Sequence, residues 1–520
     1  MMQASYAPPA DNIRALIDDY ARRFPERPFA VFPETGTQLN YGELKERLAL
    51  YSQYFSALGL KKGDTISFMM GNGLASVEIF LATLYAGCIT SPLNPAAGPA
   101  QIEYVLQHSD TRAVFASDNY REQIARAAET LARDIHIIPA DVDKGPHWPL
   151  APVEASMPSP AGEDEGVLMY TSGTTGRPKG VILSHSNLLA GGMNTARAHE
   201  LTEQDRALCV LPLCHINAQC VTVMAPLVSA GSLVMPHGFS TSLFWSWVVQ
   251  QECTWFSVVP TIISYLMHHT GDCTEQELRA RLSRVRFGRS ASAALPPAIH
   301  AGFEQKFGIP IIETMGLTET AAQILSNPLP PRQGKYGSPG VPFGTEIRIV
   351  NGEGQLLPTG EEGELLVRGE CVMRGYYKNP QATQEALTAD GWLHTGDLAR
   401  QDEDGFVFIT GRLKELIIKG GENIAPREID DALYAHPAVI EAGAVGIDDE
   451  HYGQEVVACV KVDADSTVTE QELLGFCFDK LGRVKTPKAI YFLDDLPKGP
   501  SGKVQRLKLV DILKERQGAI

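Results

Sequence analysis

The sequence predicts an α/β protein: a large N-terminal domain of two doubly wound α/β subdomains plus a small β-barrel, then a small α+β C-terminal domain. Three observations carry this. Short apolar runs alternate with helix-length amphipathic stretches through most of the chain, which is the pattern of a mostly parallel sheet with helices on its faces. Beyond Gly340 the helical stretches give way to strand pairs joined by turns such as Asn351-Gly352-Glu353-Gly354. Past Gly411-Arg412 the pattern changes again, to helices and strands sufficient for a compact unit of their own. At 520 residues the chain is too long for one core, and 44% of it is apolar, enough to fill more than one. The domain boundary falls between 1–411 and 412–520.

In order, Asp11-Asn12-Ile13-Arg14-Ala15-Leu16-Ile17 reads as a capped amphipathic helix and Pro28-Phe29-Ala30-Val31-Phe32 as a short strand. A helix opens at Leu39-Asn40-Tyr41-Gly42-Glu43-Leu44 and runs to about Leu58. A strand from Asp64 to Met70 ends in Gly71-Asn72-Gly73, a helix from Ser76 to Tyr85 follows, and Gly87 to Asn94 closes the unit. Strands at Ala113 to Ala116 and His136 to Pro139 continue the alternation, and Pro149 to Glu165 is a linker. A second α/β unit has strands at Ala207 to Leu211, Ser232 to Met235 and Trp255 to Val259, a helix from Gln219 to Ala230, and a basic strand Arg284-Val285-Arg286-Phe287. Glu346 to Val350, Gly363 to Arg368 and Gly405 to Ile409 read as the barrel hairpins. The last unit has helices at Pro426 to Ala435 and Thr469 to Leu481, with strands near Val439 to Ile447 and Glu455 to Val462.

Composition narrows the function classes. A net charge of −17 argues against nucleic acid as the main partner while leaving room for a local basic pocket. The nine cysteines are odd in number, scattered and never in Cys-x-x-Cys spacing, which implies a reduced, cytoplasmic protein. The N-terminus shows neither a basic stretch nor an apolar one, so no export signal is expected. Ala207 to Gln251 lacks Asp, Glu, Lys and Arg, but Pro212, Pro226 and Pro236 leave no apolar window of about 18 residues, so no membrane span is expected.

The densest chemistry is Tyr170-Thr171-Ser172-Gly173-Thr174-Thr175-Gly176-Arg177-Pro178-Lys179-Gly180, set between apolar runs Gly166-Val167-Leu168-Met169 and Val181-Ile182-Leu183. It reads as strand, polyanion loop, strand. Glycines bring backbone N–H groups close, hydroxyls donate, and Arg177 and Lys179 add positive charge, a combination suited to a triphosphate. Pro178-Lys179-Gly180 stands where a Walker A loop needs Gly-Lys-Ser/Thr, so that reading is weak. Glu313-Thr314-Met315-Gly316-Leu317-Thr318-Glu319 offers a phosphate donor in Thr318 and a hard oxygen ligand for Mg²⁺ in Glu319. In Gly391-Trp392-Leu393-His394-Thr395-Gly396-Asp397-Leu398, Asp397 can accept both ribose hydroxyls; the plain alternative is an Asx cap. Gly288-Arg289-Ser290-Ala291-Ser292 falls one residue short of a nucleophile elbow. Cys209, Cys214, His215 and Cys220 match no zinc spacing.

Together with Gly411-Arg412-Leu413-Lys414, Lys419-Gly420-Gly421-Glu422 and Pro497-Lys498-Gly499-Pro500-Ser501-Gly502-Lys503, these runs resemble, in order and over nearly the whole chain, the adenylate-forming superfamily. That superfamily holds acyl-CoA synthetases, adenylation domains of nonribosomal peptide synthetases and firefly-type luciferases. The resemblance implies an ATP-dependent acyl-CoA synthetase using ATP, Mg²⁺ and coenzyme A. It implies that Thr171, Ser172, Gly173, Thr174, Thr175 and Lys179 hold the phosphates, that Ser292, Ala293, Ala294 and Met315 lie along the adenine, and that Glu313, Thr314 and Gly316 belong to the nucleotide site. Thr318 would contact phosphate, Glu319 the metal, Asp397 the ribose and Arg412 the ribose or phosphate. Lys503 would be the catalytic lysine, Lys414 the hinge of a mobile C-terminal domain, and Gly420-Gly421 the passage for pantetheine. Met315 departs from the tyrosine usual at that place, and a thioether can still cover a purine face.

For the acid, His215, Asn217, Gln219, Arg289 and Gly316 are the candidate lining. Arg289-Ser290-Ala291-Ser292-Ala293 and Ser326-Asn327-Pro328-Leu329-Pro330 resemble the oxalate-CoA ligase branch, and the polar residues point to a small or polar carboxylic acid, with medium-chain fatty acids open. A dicarboxylate needs a buried cation, which Arg289 can supply. A carrier-protein acceptor, a luciferase-like oxygenase and a non-catalytic nucleotide sensor are the other readings.

Overall fold

The computed structural model describes residues 9–131, 133–155, 157–171, 177–267, 269, 274–463, 466–499 and 504–518. Its large domain contains two big sheets. One has eight strands, ordered Gly375–Tyr376, Lys179–Ser184, Glu165–Thr171, Ile89–Pro92, Thr65–Met69, Ala113–Ala116, His136–Asp141 and Gly145–Pro146. The other has nine: Val341–Pro342, Ala322–Ser326, Ile311–Leu317, Phe287–Ser290, Trp255–Val258, Arg206–Cys209, Ser232–Val234, Pro28–Phe32 and Thr37–Asn40. Both are parallel at the centre and antiparallel at the edges, so the doubly wound reading holds. One strand is not where its position in the chain suggests: Pro28–Phe32 joins the second sheet, beside Ser232–Val234, rather than the unit it precedes.

Local chemistry explains the main helices. The helix Tyr41–Ala57 starts at Asn40, whose side chain accepts from Glu43 N–H at 2.8 Å while the Glu43 carboxylate accepts from Asn40 N–H at 3.0 Å. The helix Leu74–Tyr85 is buried all round and lies between layers. Where a helix from Gln219 to Ala230 was expected, a π-helix Asn217–Met224 runs into a short α-helix Ala225–Val228. Such widened turns are frequent at functional sites.

The strand pairs beyond Gly340, read as hairpins of the small barrel, form a four-stranded antiparallel sheet, Glu346–Val350, Gly363–Arg368, Leu393–Gln401 and Val407–Arg412. The last unit is a mixed sheet of Ile417–Lys419, Glu422–Ile424, Gly453–Val462, Val439–Asp449 and Ala489–Phe492. Helices Pro426–Tyr434 and Glu470–Lys485 bury Ile429, Leu433, Leu473 and Cys477 on one face. A third helix, Arg506–Gly518, which the sequence reading did not foresee, buries Leu509 and Leu513 on the other. The eight described cysteines are free thiols, and no described helix is long and apolar enough to cross a membrane.

One polar knot ties the small unit together. Arg506 donates to Asp430 at 2.6 Å, to Glu415 at 3.2 Å and to the Ala444 carbonyl at 2.7 Å. Removing one partner of a buried ion pair leaves the other charge uncompensated. Arg506→Met should therefore destabilise the small unit by about 3 kcal/mol. Hydrogen exchange should show faster exchange across Val439–Asp449 and Gly453–Val462, with the large sheets unchanged.

Candidate active site

The strand–loop–strand prediction is met by an antiparallel hairpin, Glu165–Thr171 with Lys179–Ser184, in register Thr171 opposite Lys179. Ser172, Gly173, Thr174 and Thr175 lie outside the described residues, as does Lys503. The flanks of the loop are braced. Tyr170 Oη hydrogen-bonds His108 Nδ1 at 2.7 Å, Arg177 lies 5.7 Å from the Tyr104 ring centre, and Lys179 Nζ lies 4.8 Å from the Tyr376 ring centre.

Across from this hairpin, the strand Ile311–Leu317 turns through a 3₁₀ turn at Thr318–Thr320 and returns as Ala322–Ser326. Gly316 has a structural reason: a Cβ there would sit 1.6 Å from the Ala322 carbonyl oxygen. Ala321 and Ala322 have φ of +46° and +83°, a conformation that side chains resist and that marks a strained turn. Glu319 leaves that turn held at two points. Met373 N–H donates to its carbonyl at 2.8 Å and Tyr376 Oη to its carboxylate at 3.0 Å.

Asp397 and Arg412 face each other on neighbouring strands, with Arg412 Nε donating to Asp397 Oδ1 at 2.7 Å. Burial opposes the Arg412 charge, and Asp397 and Glu415 more than compensate, so its pKa is raised. Glu313 is fully buried, and its Oε1 accepts from Leu295 N–H at 3.0 Å, fixing the end of the Ser292-Ala293-Ala294 loop. Ser292 has φ +72° and its hydroxyl accepts from Asn217 Nδ2 at 3.3 Å. Thr314 is buried in the same strand, while Met315 and Thr318 remain partly exposed.

The acid-side candidates separate. Arg289, read as following a strand, lies within Phe287–Ser290 and is 1% exposed. It donates to Asn217 Oδ1 at 3.1 Å, Ser257 Oγ at 3.2 Å and Gln323 Oε1 at 3.3 Å, all neutral acceptors. Burial alone pushes its pKa down to about 9. Gln219 instead turns inward, its Nε2 donating to the Leu213 carbonyl at 2.8 Å. His215 is half-buried beside it, ahead of the π-helix.

Two polar residues here carried no signal in any motif. Gln323 stands directly opposite Gly316, and Asn72 clamps the segment before His215 by accepting from Leu213 N–H and donating to the Leu211 carbonyl, both at 2.9 Å. The sequence marked Asn72 only as a turn between glycines. Gly420 and Gly421, with φ +57° and +88°, form the two-residue turn of the Ile417–Lys419 and Glu422–Ile424 hairpin, so the turn itself requires them. Lys414 sits in an exposed 3₁₀ turn, Leu413–Glu415, between the domains. No described group of three or more His, Cys, Asp or Glu residues is placed to hold a metal on its own.

Comparison with known proteins bears on this arrangement. Residues 17–377 match the family model for the AMP-binding enzyme, and residues 428–503 match that for the AMP-binding enzyme C-terminal domain. The chain belongs to the AMP-binding enzyme family. Within the family it is 47% identical to a sulfoacetate–CoA ligase of Cupriavidus necator, over 96% of this chain and 98% of that one. It is 35% identical to an oxalate–CoA ligase of Arabidopsis thaliana, again over 96% and 98%. The ATP-bound MatB structure from Rhodopseudomonas palustris superposes with a TM-score of 0.87 at 28% identity, covering 97% and 99%.

Burial raises the Glu313 pKa above the ordinary carboxylate range, opposed by Arg427, the Leu295 N–H and His300 and reinforced by Asp431. The folded state thus binds a proton more readily than the unfolded one. The cost of the charge is absent below the unfolded value, grows as pH rises, and is complete above the folded value. Gln at this position keeps an acceptor for Leu295 N–H and removes the charge. Glu313→Gln should therefore raise Tm at neutral pH by roughly 2–4 °C, the gap closing as pH falls toward the ordinary carboxylate range. Thermal scans across pH check this.

Proposed function

We propose that this protein is an ATP-dependent, AMP-forming carboxylate–CoA ligase whose acid carries a second anionic group, a sulfonate or second carboxylate on a short carbon chain. One observation carries the choice of acid. Arg289 is buried, and the side chains that accept from it are all neutral. An uncompensated buried cation is costly, and an anionic ligand offsets that cost while gaining specificity. Asn217, which binds both Arg289 and Ser292, links this cation to the loop assigned to the adenine side. The sulfoacetate– and oxalate–CoA ligases it resembles are named for such doubly anionic acids, and a fatty chain would have no use for the buried charge.

In this reading the acid's carboxylate oxygen attacks the α-phosphorus of ATP, the bond to the β-phosphate oxygen breaks, and pyrophosphate leaves. The sulfur of CoA, losing its proton, then attacks the acyl carbon of the mixed anhydride, and AMP departs. Lys179 and the hydroxyls and N–H groups of Ser172, Gly173, Thr174 and Thr175 hold the phosphates. Asp397, with Arg412 behind it, takes the ribose hydroxyls, and Lys503 meets the charge developing during adenylation. Glu319 is a hard carboxylate suited to Mg²⁺, which when bound neutralises charge on the phosphoryl oxygens. Lys414 is the hinge between 1–411 and 412–520, so that Lys503 serves the first half-reaction and the Gly420-Gly421 hairpin the second.

Pyrophosphate release from ATP, measured with sulfoacetate, oxalate, malonate, propionate and octanoate, with and without CoA, tests the assignment. Release that depends on a doubly anionic acid and rises with CoA is the expected result; a preference for octanoate overturns it. Arg289→Met should lower kcat/KM for the preferred acid by about 100-fold, the worth of roughly 3 kcal/mol. Its stability should match or exceed the parent's, because an unpaired buried charge is gone.

A further inference from the structure

We propose that Tyr376 is a positioning residue for adenylation, one phenol that aligns the Glu319 carboxylate and the Lys179 ammonium relative to each other. No motif singled it out. It lies in a two-residue strand, Gly375–Tyr376, on the edge of the eight-stranded sheet, 57 residues beyond Glu319 in the chain.

The stretch around it is stitched to both halves of the site. On one side Arg374 N–H donates to the Ile182 carbonyl at 3.0 Å and Tyr377 N–H to the Gly180 carbonyl at 2.7 Å, so the stretch is fixed to the strand leaving the phosphate loop. On the other, Met373 N–H donates to the Glu319 carbonyl at 2.8 Å. Tyr376 completes the bridge with its side chain. Its hydroxyl donates to Glu319 Oε1 at 3.0 Å, and its ring lies 4.8 Å from Lys179 Nζ. A phenol keeps its proton at neutral pH, so the hydroxyl is the donor in this pair.

Two consequences follow. The phenol's hydrogen bond to Oε1 holds the Glu319 carboxylate in one orientation. Glu319 would present it so to Mg²⁺, which takes one or two protein carboxylates and draws its remaining ligands from phosphate and water. The aromatic face meanwhile restrains the ammonium without neutralising it as a carboxylate would, leaving Lys179 its full charge for phosphate.

The inference rests on Glu319 being the metal carboxylate, and Tyr376→Phe isolates the hydroxyl because it keeps the ring beneath Lys179. Mn²⁺ binding to the protein complexed with α,β-methylene-ATP, followed by electron paramagnetic resonance, reads the metal without turnover and independently of which acid is the substrate. The expected result is a Kd for Mn²⁺ raised about tenfold or more, the loss of one hydrogen bond to a charged group. The Mg²⁺ concentration for half-maximal pyrophosphate release should rise in parallel, with the acid's KM within twofold of the parent. Tyr376→Leu, which also removes the ring, should add a rise in KM for ATP. An unchanged Mn²⁺ Kd in Tyr376→Phe overturns the proposal, and a slower but equally metal-saturable variant with a lowered Tm assigns Tyr376 to packing alone.

Discussion

At Gly316 and Ala322 two antiparallel backbones approach so closely that no Cβ fits between them, and the geometry of the site is measured from that contact. The approach compresses the turn after Leu317 and forces Ala321 and Ala322 into positive φ. That turn projects Thr318 and Glu319 toward the phosphate-loop hairpin. The returning strand brings Gln323 opposite Gly316, where its side chain accepts from Arg289. Glu319 and the acceptor of Arg289 are thus both placed by one strained connection. Gly191 on the helix His185–Ala198 serves the same contact, since a Cβ there would lie 2.3 Å from the Ala321 carbonyl. Strain of this kind persists only where the surroundings over-determine it.

Charge is distributed on a similar logic. The chain is acidic overall, with a net charge of −17, yet the groups gathered around the site include Lys179, Arg289 and Arg412. Their surroundings differ. Arg412 is matched by Asp397, Lys179 lies against an aromatic ring, and Arg289 is surrounded by amides and a hydroxyl. A cation already satisfied by a protein carboxylate has little left for a ligand. The one buried among neutral dipoles keeps its charge available, at a cost in stability that a ligand recovers.

Much of the architecture was legible in the sequence because period and punctuation are local. Alternating strands and helices, the helix opening within residues 39–44, and the hydroxyl- and glycine-rich loop between two strands each declare themselves within about ten residues. What was missed depends on distance. Asn72 acts on Leu211 and Leu213 about 140 residues away, Tyr376 on Glu319 and Lys179, and Gln323 on Arg289, and none of these pairs has a spacing signature. The strand Pro28–Phe32 joins the distant sheet because its partner is set by tertiary packing rather than by its own sequence. The hydrogen bond from the Gln219 amide to the buried Leu213 carbonyl likewise has no local sequence signature. Gly420-Gly421 shows the opposite case, a pattern correctly noticed whose immediate cause is a hairpin turn.

Arg427, at the start of the helix Pro426–Tyr434, donates to the carbonyls of Ile409 and Gly337, which belong to the large domain, and its charge reaches the buried Glu313. Because the acceptors are main-chain oxygens, this dock makes no demand on side chains opposite and is easily re-formed by water when broken. Its electrostatic effect is less neutral. Were Arg427 withdrawn from these carbonyls, Glu313 would lose its largest favourable charge and hold a proton more readily. Docking of Arg427 and ionisation of Glu313 would then be thermodynamically linked, each favouring the other.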